Sequence, residues 1–81
     1  MGAEKIYVEV IARFSPEGIL IPLSVRWEDG VTYPIQRVTE VCHRSSLKAG
    51  GAGIRYTCQF GRHFRFLFLE EDRWFVEKEA H

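Results

Sequence analysis

The sequence predicts an all-β fold, an antiparallel meander of five or six strands curled into a small SH3-like or partly open barrel. Apolar residues recur at every second position through most of the chain, and turn residues separate these alternating runs. No segment combines helical periodicity with a capping residue at its start. With 81 residues, 46% of them hydrophobic, the chain is expected to form one domain, 1–81.

The first two strands are predicted over residues 5–14 and 19–27. Alternate residues of the first strand share one side of it: Ile6, Val8, Val10 and Ala12. The turn between the strands contains Pro16, which presets φ, and Gly18, which accepts a positive φ. Pro22 has no backbone N–H, so its place in the second strand indicates an edge or a bulge.

A three-residue hairpin loop is predicted at Glu28, Asp29 and Gly30, with Gly30 in the left-handed region. This register pairs apolar residues with each other: Trp27 with Val31, Val25 with Tyr33, and Leu23 with Ile35. A two-residue loop would set apolar residues opposite polar ones. The alternation slips after Ile35, which predicts a bulge or bend near residues 36–37.

The second half of the chain predicts a polar loop at 44–53, two aromatic strands at 54–60 and 63–69, and a last strand at 74–79. The loop is rich in glycine, but it lacks the Lys and Ser or Thr that a phosphate-binding loop requires after its last glycine. It is therefore interpreted as a mobile hairpin loop.

The two aromatic strands are expected to meet across a three-residue loop of Gly61, Arg62 and His63. That register aligns Phe60 with Phe64, Cys58 with Phe66, and Tyr56 with Phe68. The phenylalanines would then face the core. The reverse face would carry two arginines and two leucines: Arg55, Arg65, Leu67 and Leu69.

Charge is distributed unevenly along the chain. Residues 31–65 contain six Arg or Lys and one Glu, a net charge of +5, between a segment 1–30 at −2 and a segment 66–81 at −3. The basic middle is either a patch for an anionic partner or is paired internally with the acidic ends. Candidate residues for binding nucleic acid or a protein partner are Arg37, Arg44, Lys48, Arg55, Arg62 and Arg65.

No catalytic or metal site is predicted. Cys58 with His63, and Cys42 with His43, are the available thiol–imidazole pairs, but paired zinc-ligand spacings are absent. The acidic pairs lie in predicted turns, where water solvates them. We therefore expect no enzymatic activity, no metal and no cofactor; a small-ligand pocket around Cys58 and His63 is one alternative.

The N-terminal segment has no apolar run long enough for a signal peptide or a membrane span. The two cysteines are too few for a disulfide scaffold and are interpreted as reduced thiols. These features predict a cytoplasmic protein with no membrane partner.

Residues 23–79 resemble a family of short, uncharacterised bacterial β-domain proteins, in which a Trp, a turn glycine and a Tyr precede an Ile/Val-x-Arg-Val run. The matching residues here are Trp27, Gly30, Tyr33, Ile35, Arg37, Val38 and Trp74. Such proteins are often encoded near genes for error-prone polymerases and DNA damage. The resemblance implies an accessory role in DNA repair or replication. Its motifs are hairpin and core positions, so it transfers no active site.

The sequence thus predicts a non-catalytic binding module whose partner is a protein or nucleic acid. The alternative from a different class is a structural homodimer with no role in nucleic-acid binding. In that alternative Leu67 and Leu69 form an exposed face that self-association buries.

Overall fold

The computed structural model describes residues 3–45 and 52–79, and these residues form eight strands in two antiparallel sheets. The strands are β1 (Ala3–Tyr7), β2 (Glu9–Phe14), β3 (Leu20–Arg26), β4 (Thr32–Pro34), β5 (Arg37–Ser45), β6 (Ala52–Phe60), β7 (His63–Glu70) and β8 (Arg73–Glu79). The large sheet has the order β1-β8-β7-β6-β5, and the small sheet has the order β2-β3-β4. The predicted all-β class is confirmed. Over the described ranges the ladders form two sheets and not one closed barrel.

Two segments of chain pass from one sheet into the other. Only Val8 separates β1 from β2, so the strand predicted over 5–14 is divided between the two sheets. Only Ile35 and Gln36 separate β4 from β5, at the bend predicted near residues 36–37. Within the part of the chain that is described, no helix has the length and apolarity needed to cross a membrane.

The hairpin between β3 and β4 has the predicted register. Val25 lies opposite Tyr33, and the backbone N–H of Trp27 donates to the Val31 carbonyl at 2.9 Å. The side chain of Asp29 accepts hydrogen bonds from the Val31 N–H at 2.9 Å and from the Tyr33 hydroxyl at 3.2 Å. Gly30 has a φ of 83°, as a three-residue loop requires.

Gly30→Ala is expected to lower the free energy of unfolding by about 1 kcal/mol, because an L-residue is disfavoured in the left-handed region. An added Cβ would meet nothing within 4 Å, so the cost is conformational and not steric. Gly30→Asn is the matched control and should cost less, since Asn tolerates this region. Urea denaturation of the three proteins measures the difference; equal losses for Ala and Asn would contradict the explanation.

The hairpin between β6 and β7 differs from the predicted one. Its loop has two residues, Gly61 and Arg62, and Phe60 pairs with His63. Tyr56 therefore lies opposite Leu67 and not opposite Phe68. A shift of one residue moves every side chain of a strand to the other face.

This shift reverses the predicted faces of β7. Leu67 is buried at 1% exposure and Leu69 packs partly buried against the core. The prediction that these leucines form an exposed dimer face is therefore wrong. Phe64 and Phe66, predicted to be core residues, are about half exposed, at 54% and 50%.

The core lies between the two sheets and consists of Val25, Tyr56, Cys58 and Leu67, with partly buried residues around it. Tyr56 is fully buried, and its hydroxyl donates a hydrogen bond to the carbonyl of Leu20 in the small sheet. Its ring lies 5.5 Å from the ring of Trp74. Tyr56 thus joins the two sheets by apolar packing and by a hydrogen bond.

Candidate functional site on the outer face of the large sheet

The large sheet has an outer face, which points away from the small sheet. Tyr56, Cys58 and Leu67 pack with Val25 of the small sheet, so the residues that alternate with them in the strands point the other way. Aromatic side chains dominate this outer face on β7, β8 and β1: Phe64, Phe66, Phe68, Phe75 and Tyr7. A sheet face with this composition is unusual on a solvent-facing side.

Four of these rings form a continuous row across three strands. The ring of Phe66 meets that of Phe68 edge-on at 6.4 Å between centroids, and Phe68 stacks on Phe75 at 5.1 Å and 9°. Tyr7 meets Phe75 edge-on at 5.7 Å. Both arrangements are attractive for aromatic pairs beyond the area they bury. The row therefore holds its own rings in fixed orientations.

The middle of the row is buried and its ends are exposed. Phe68 and Phe75 have little exposed surface, whereas Phe66 at one end is 50% exposed and Tyr7 at the other is 46% exposed. Phe64, next to this row on β7, is 54% exposed. Exposed aromatic surface of this kind on a small protein indicates an interaction site.

Cationic side chains lie over the rings of the row. The Arg55 guanidinium carbon is 4.6 Å from the Phe66 centroid, and that of Arg73 is 3.6 Å from the Tyr7 centroid. The Lys5 ammonium lies 4.6 Å from the Phe75 centroid. These are cation–π distances. The outer face therefore combines stacking surface with positive charge.

Carboxylates pair with two of these three cations. Arg55 pairs with Glu40 at 3.6 Å, and Lys5 pairs with Glu70 at 3.3 Å. The Nε of Arg55 is buried without an acceptor among the described residues. The position of its guanidinium therefore depends on Glu40 and Phe66. Because these pairs are partly exposed, they contribute little to stability and serve mainly to position the side chains.

The predicted basic residues do not form one patch. Arg55 points to the outer face, while Arg65 lies opposite Cys58 and so points to the side of the core. The prediction that Arg55 and Arg65 share a face is wrong because it rested on the three-residue loop between β6 and β7. The observed two-residue loop shifts β7 by one residue and turns Arg65 to the other face. Arg37 lies opposite Gln59 and shares the outer face, and Arg62 is exposed in the β6–β7 turn.

The predicted loop at 44–53 falls largely outside the described residues. β5 and β6 extend into it as far as Ser45 and Ala52, which pair with each other. Arg44 pairs through its backbone with Gly53, and Lys48 lies outside the described residues.

Cys58 and His63 occupy different environments. Cys58 has no exposed surface, and burial raises the pKa of its thiol to about 11. A thiol in this state is not a nucleophile at neutral pH. His63 is exposed at the start of β7. Over residues 3–45 and 52–79, no group of three His, Cys, Asp or Glu side chains is arranged to hold a metal ion.

Four residues of the outer face were not among the predicted binding residues: Lys5, Tyr7, Arg73 and Phe75. They come together because β1 pairs with β8, with Tyr7 opposite Phe75. No turn connects these two strands, so the local alternation gives no signal of their pairing. The sequence contains only a weak indication of this pairing. The two end segments are both predicted as strands, and each has an aromatic residue among charged ones.

A search of protein-family models, of curated proteins and of solved structures finds no match to this chain.

Proposed function

We propose that this protein is a non-catalytic binding module that binds single-stranded nucleic acid on the outer face of its large sheet. The observation that carries the proposal is the exposure of Phe64 and Phe66 beside cationic side chains. Proteins that bind single strands combine aromatic rings, on which bases stack, with basic groups that contact the phosphates. Both elements occur on this face.

The geometry favours stacking over a purely apolar contact. The rings of Phe66 and Tyr7 are fixed by their neighbours in the row and half exposed. A base can therefore pack on the ring surface that Arg55 and Arg73 leave open, with little loss of side-chain freedom. Arg73 covers the Tyr7 ring and forms no ion pair with any described residue, so its charge is available to a phosphate. Arg37 adds a further exposed cation on β5.

Other features of the chain are consistent with this role. The segment 31–65, with a net charge of +5, supplies Arg37 and Arg55 to the face. The family resemblance suggests a function in replication or repair, processes that expose single-stranded DNA. We further propose that the two bent segments make the sheets the walls of a partly open barrel, and that the protein acts in the cytoplasm.

The proposal is tested by fluorescence anisotropy of a labelled oligothymidylate at low salt. The wild type is expected to bind, with an affinity that falls as salt increases because phosphate contacts release counterions. Phe64→Ala with Phe66→Ala should weaken binding at least about 30-fold, since stacking contributes roughly 1–3 kcal/mol per base and the variant removes two rings. The matched control is Phe14→Ala, a phenylalanine on the small sheet that is even more exposed, at 70%.

Two results would overturn the proposal. One is equal binding by the double variant and the wild type, with both equally stable to urea. The other is a wild type that does not bind the oligonucleotide but sediments as a dimer, while the double variant sediments as a monomer. That second outcome would assign the outer face to self-association.

A further inference from the structure

A cleft opens in the large sheet where β7 and β8 separate. Their ladder contains three pairs, Phe68 with Phe75, Leu69 with Trp74, and Glu70 with Arg73. Beyond these pairs β7 continues along β6, and β8 continues along β1. Among the described strands, residues 63–67 and 76–79 therefore have a neighbour on one edge only. Their other edges face each other without a ladder between them.

The lining of the cleft confirms that it follows these edges. It has a volume of about 610 Å³ and is bordered by three consecutive residues of each strand, 65–67 and 76–78. Because successive side chains of a strand point to opposite faces, a cavity that touches three in a row runs along the strand edge. Backbone N–H and C=O groups on that edge require hydrogen-bond partners.

The small sheet closes the inner side of the cleft. Val25, Trp27 and Tyr33 border the cleft there. The Tyr33 hydroxyl donates a hydrogen bond to Asp29, and this bond fixes the Tyr33 ring. With Leu67 these side chains provide an apolar inner wall. The charged lining is mixed, with Arg65 and Lys78 against Glu28 and Glu77. A polyanion such as nucleic acid is therefore a poor occupant.

We infer that this cleft binds an extended peptide segment of a protein partner, which adds as a strand between β7 and β8. An extended backbone can bond to the free edges of both strands, as in strand addition to a sheet edge. About five residues fit, since the free edge of β7 spans 63–67. Every second side chain of the peptide would point to the apolar wall, so the segment alternates apolar and polar residues and has little net charge.

This site is separate from the proposed nucleic-acid surface, although Phe66 borders both. It rests on strand edges and on the inner wall, not on the aromatic row. Failure of oligonucleotide binding would leave it unaffected, and failure of peptide binding would leave the outer-face proposal unaffected.

The first test is amide hydrogen exchange of the isolated full chain, followed by NMR. We expect fast exchange for those amides of residues 63–67 and 76–79 that point into the cleft, and slow exchange for those bonded to β6 and β1. The probe is a pool of acetylated hexapeptides with alternating apolar residues, acetyl-TVKVEV-amide among them. Binding should slow exchange of the cleft amides at least tenfold and change the fluorescence of Trp27.

Matched controls separate strand addition from apolar adhesion. N-methylation of alternate peptide amides removes backbone donors and keeps the side chains, so it should abolish binding. Tyr33→Ala removes part of the inner wall and should weaken binding about tenfold, whereas Ile11→Ala, at 64% exposure on the small sheet and away from the cleft, should not.

Several outcomes would overturn the inference. Cleft amides that are already protected in the dilute, free protein would show that the strands pair there. Equal binding of the methylated peptides, or no binding from any peptide pool at millimolar concentration, would exclude strand addition. Protection that increases with protein concentration, together with a dimer in sedimentation, would identify the occupant as a second copy of the chain.

Discussion

Tyr56→Ala is expected to remove most of the protein's free energy of unfolding, whereas Tyr56→Phe should lower it by about 1–2 kcal/mol. Tyr56 has no exposed surface, contacts Trp74, and donates its hydroxyl to Leu20. Removing a buried aromatic ring costs about 3–5 kcal/mol. A domain of this size has a total stability of roughly 5 kcal/mol, so the alanine variant retains little of it.

Urea denaturation followed by far-ultraviolet circular dichroism measures both variants. Tyr7→Ala is the matched control, because Tyr7 is 46% exposed at the end of the aromatic row. It should cost less than about 1.5 kcal/mol, the range of a partly exposed aromatic contact. A Tyr56→Ala protein as stable as the Tyr7→Ala protein would show that Tyr56 does not join the two sheets.

Leu67→Ala is expected to destabilise the protein by about 2–4 kcal/mol, and Phe66→Ala by less than about 1 kcal/mol. The leucine is 1% exposed within the core cluster, whereas its larger neighbour is 50% exposed on the outer face. The two residues are adjacent in one strand, so local strand propensity affects both alike. Their difference therefore reports which face of β7 is buried.

The same denaturation experiment distinguishes the two registers of this hairpin. With the two-residue loop, the alanine substitution at Leu67 causes the larger loss of stability. With a three-residue loop, the substitution at Phe66 would cause the larger loss. A larger loss for Phe66→Ala than for Leu67→Ala would contradict the observed pairing of Tyr56 with Leu67.

The sequence predicts one hairpin correctly and the other wrongly for an identifiable reason. In the hairpin at Gly30, one register pairs apolar residues with each other and the other register does not. The alternation of apolar and polar residues therefore determines the register there. β7 is apolar on both faces, with phenylalanines on one and leucines on the other. The observed register still pairs Tyr56 with Leu67 and Ile54 with Leu69, so both registers give some apolar pairs and the turn has to decide.

The turn residues contained the missing information. A two-residue hairpin loop of the type II′ class has glycine at its first position with positive φ. Gly61 has a φ of 60° and Arg62 follows it as the second loop residue. The next turn, at Glu71 and Asp72, also has two residues, both with positive φ. A prediction based on the turn residues, and not on the row of phenylalanines, would have placed Phe64 and Phe66 on the outer face.

The candidate site was recognisable only in part, since its cations come from distant parts of the chain. Arg55 was named from the basic middle segment. Lys5 and Arg73 belong to acidic end segments and were not. The net charge of a segment does not show which strands its residues will lie beside. Only the structure shows that β1 pairs with β8.

The pairing of β1 with β8 also sets an order of assembly. Five of the strand pairings join strands that follow each other in the chain. By contrast, the contact of Lys5 with Glu70, which accompanies the pairing of β1 with β8, closes a separation of 65 residues. Closing so long a loop costs more entropy and is slower than forming a hairpin. During synthesis, β1 must wait for β8 to emerge from the ribosome. The aromatic row from Phe66 to Tyr7 is completed only then, so a nascent chain that still lacks β8 cannot present the whole outer face.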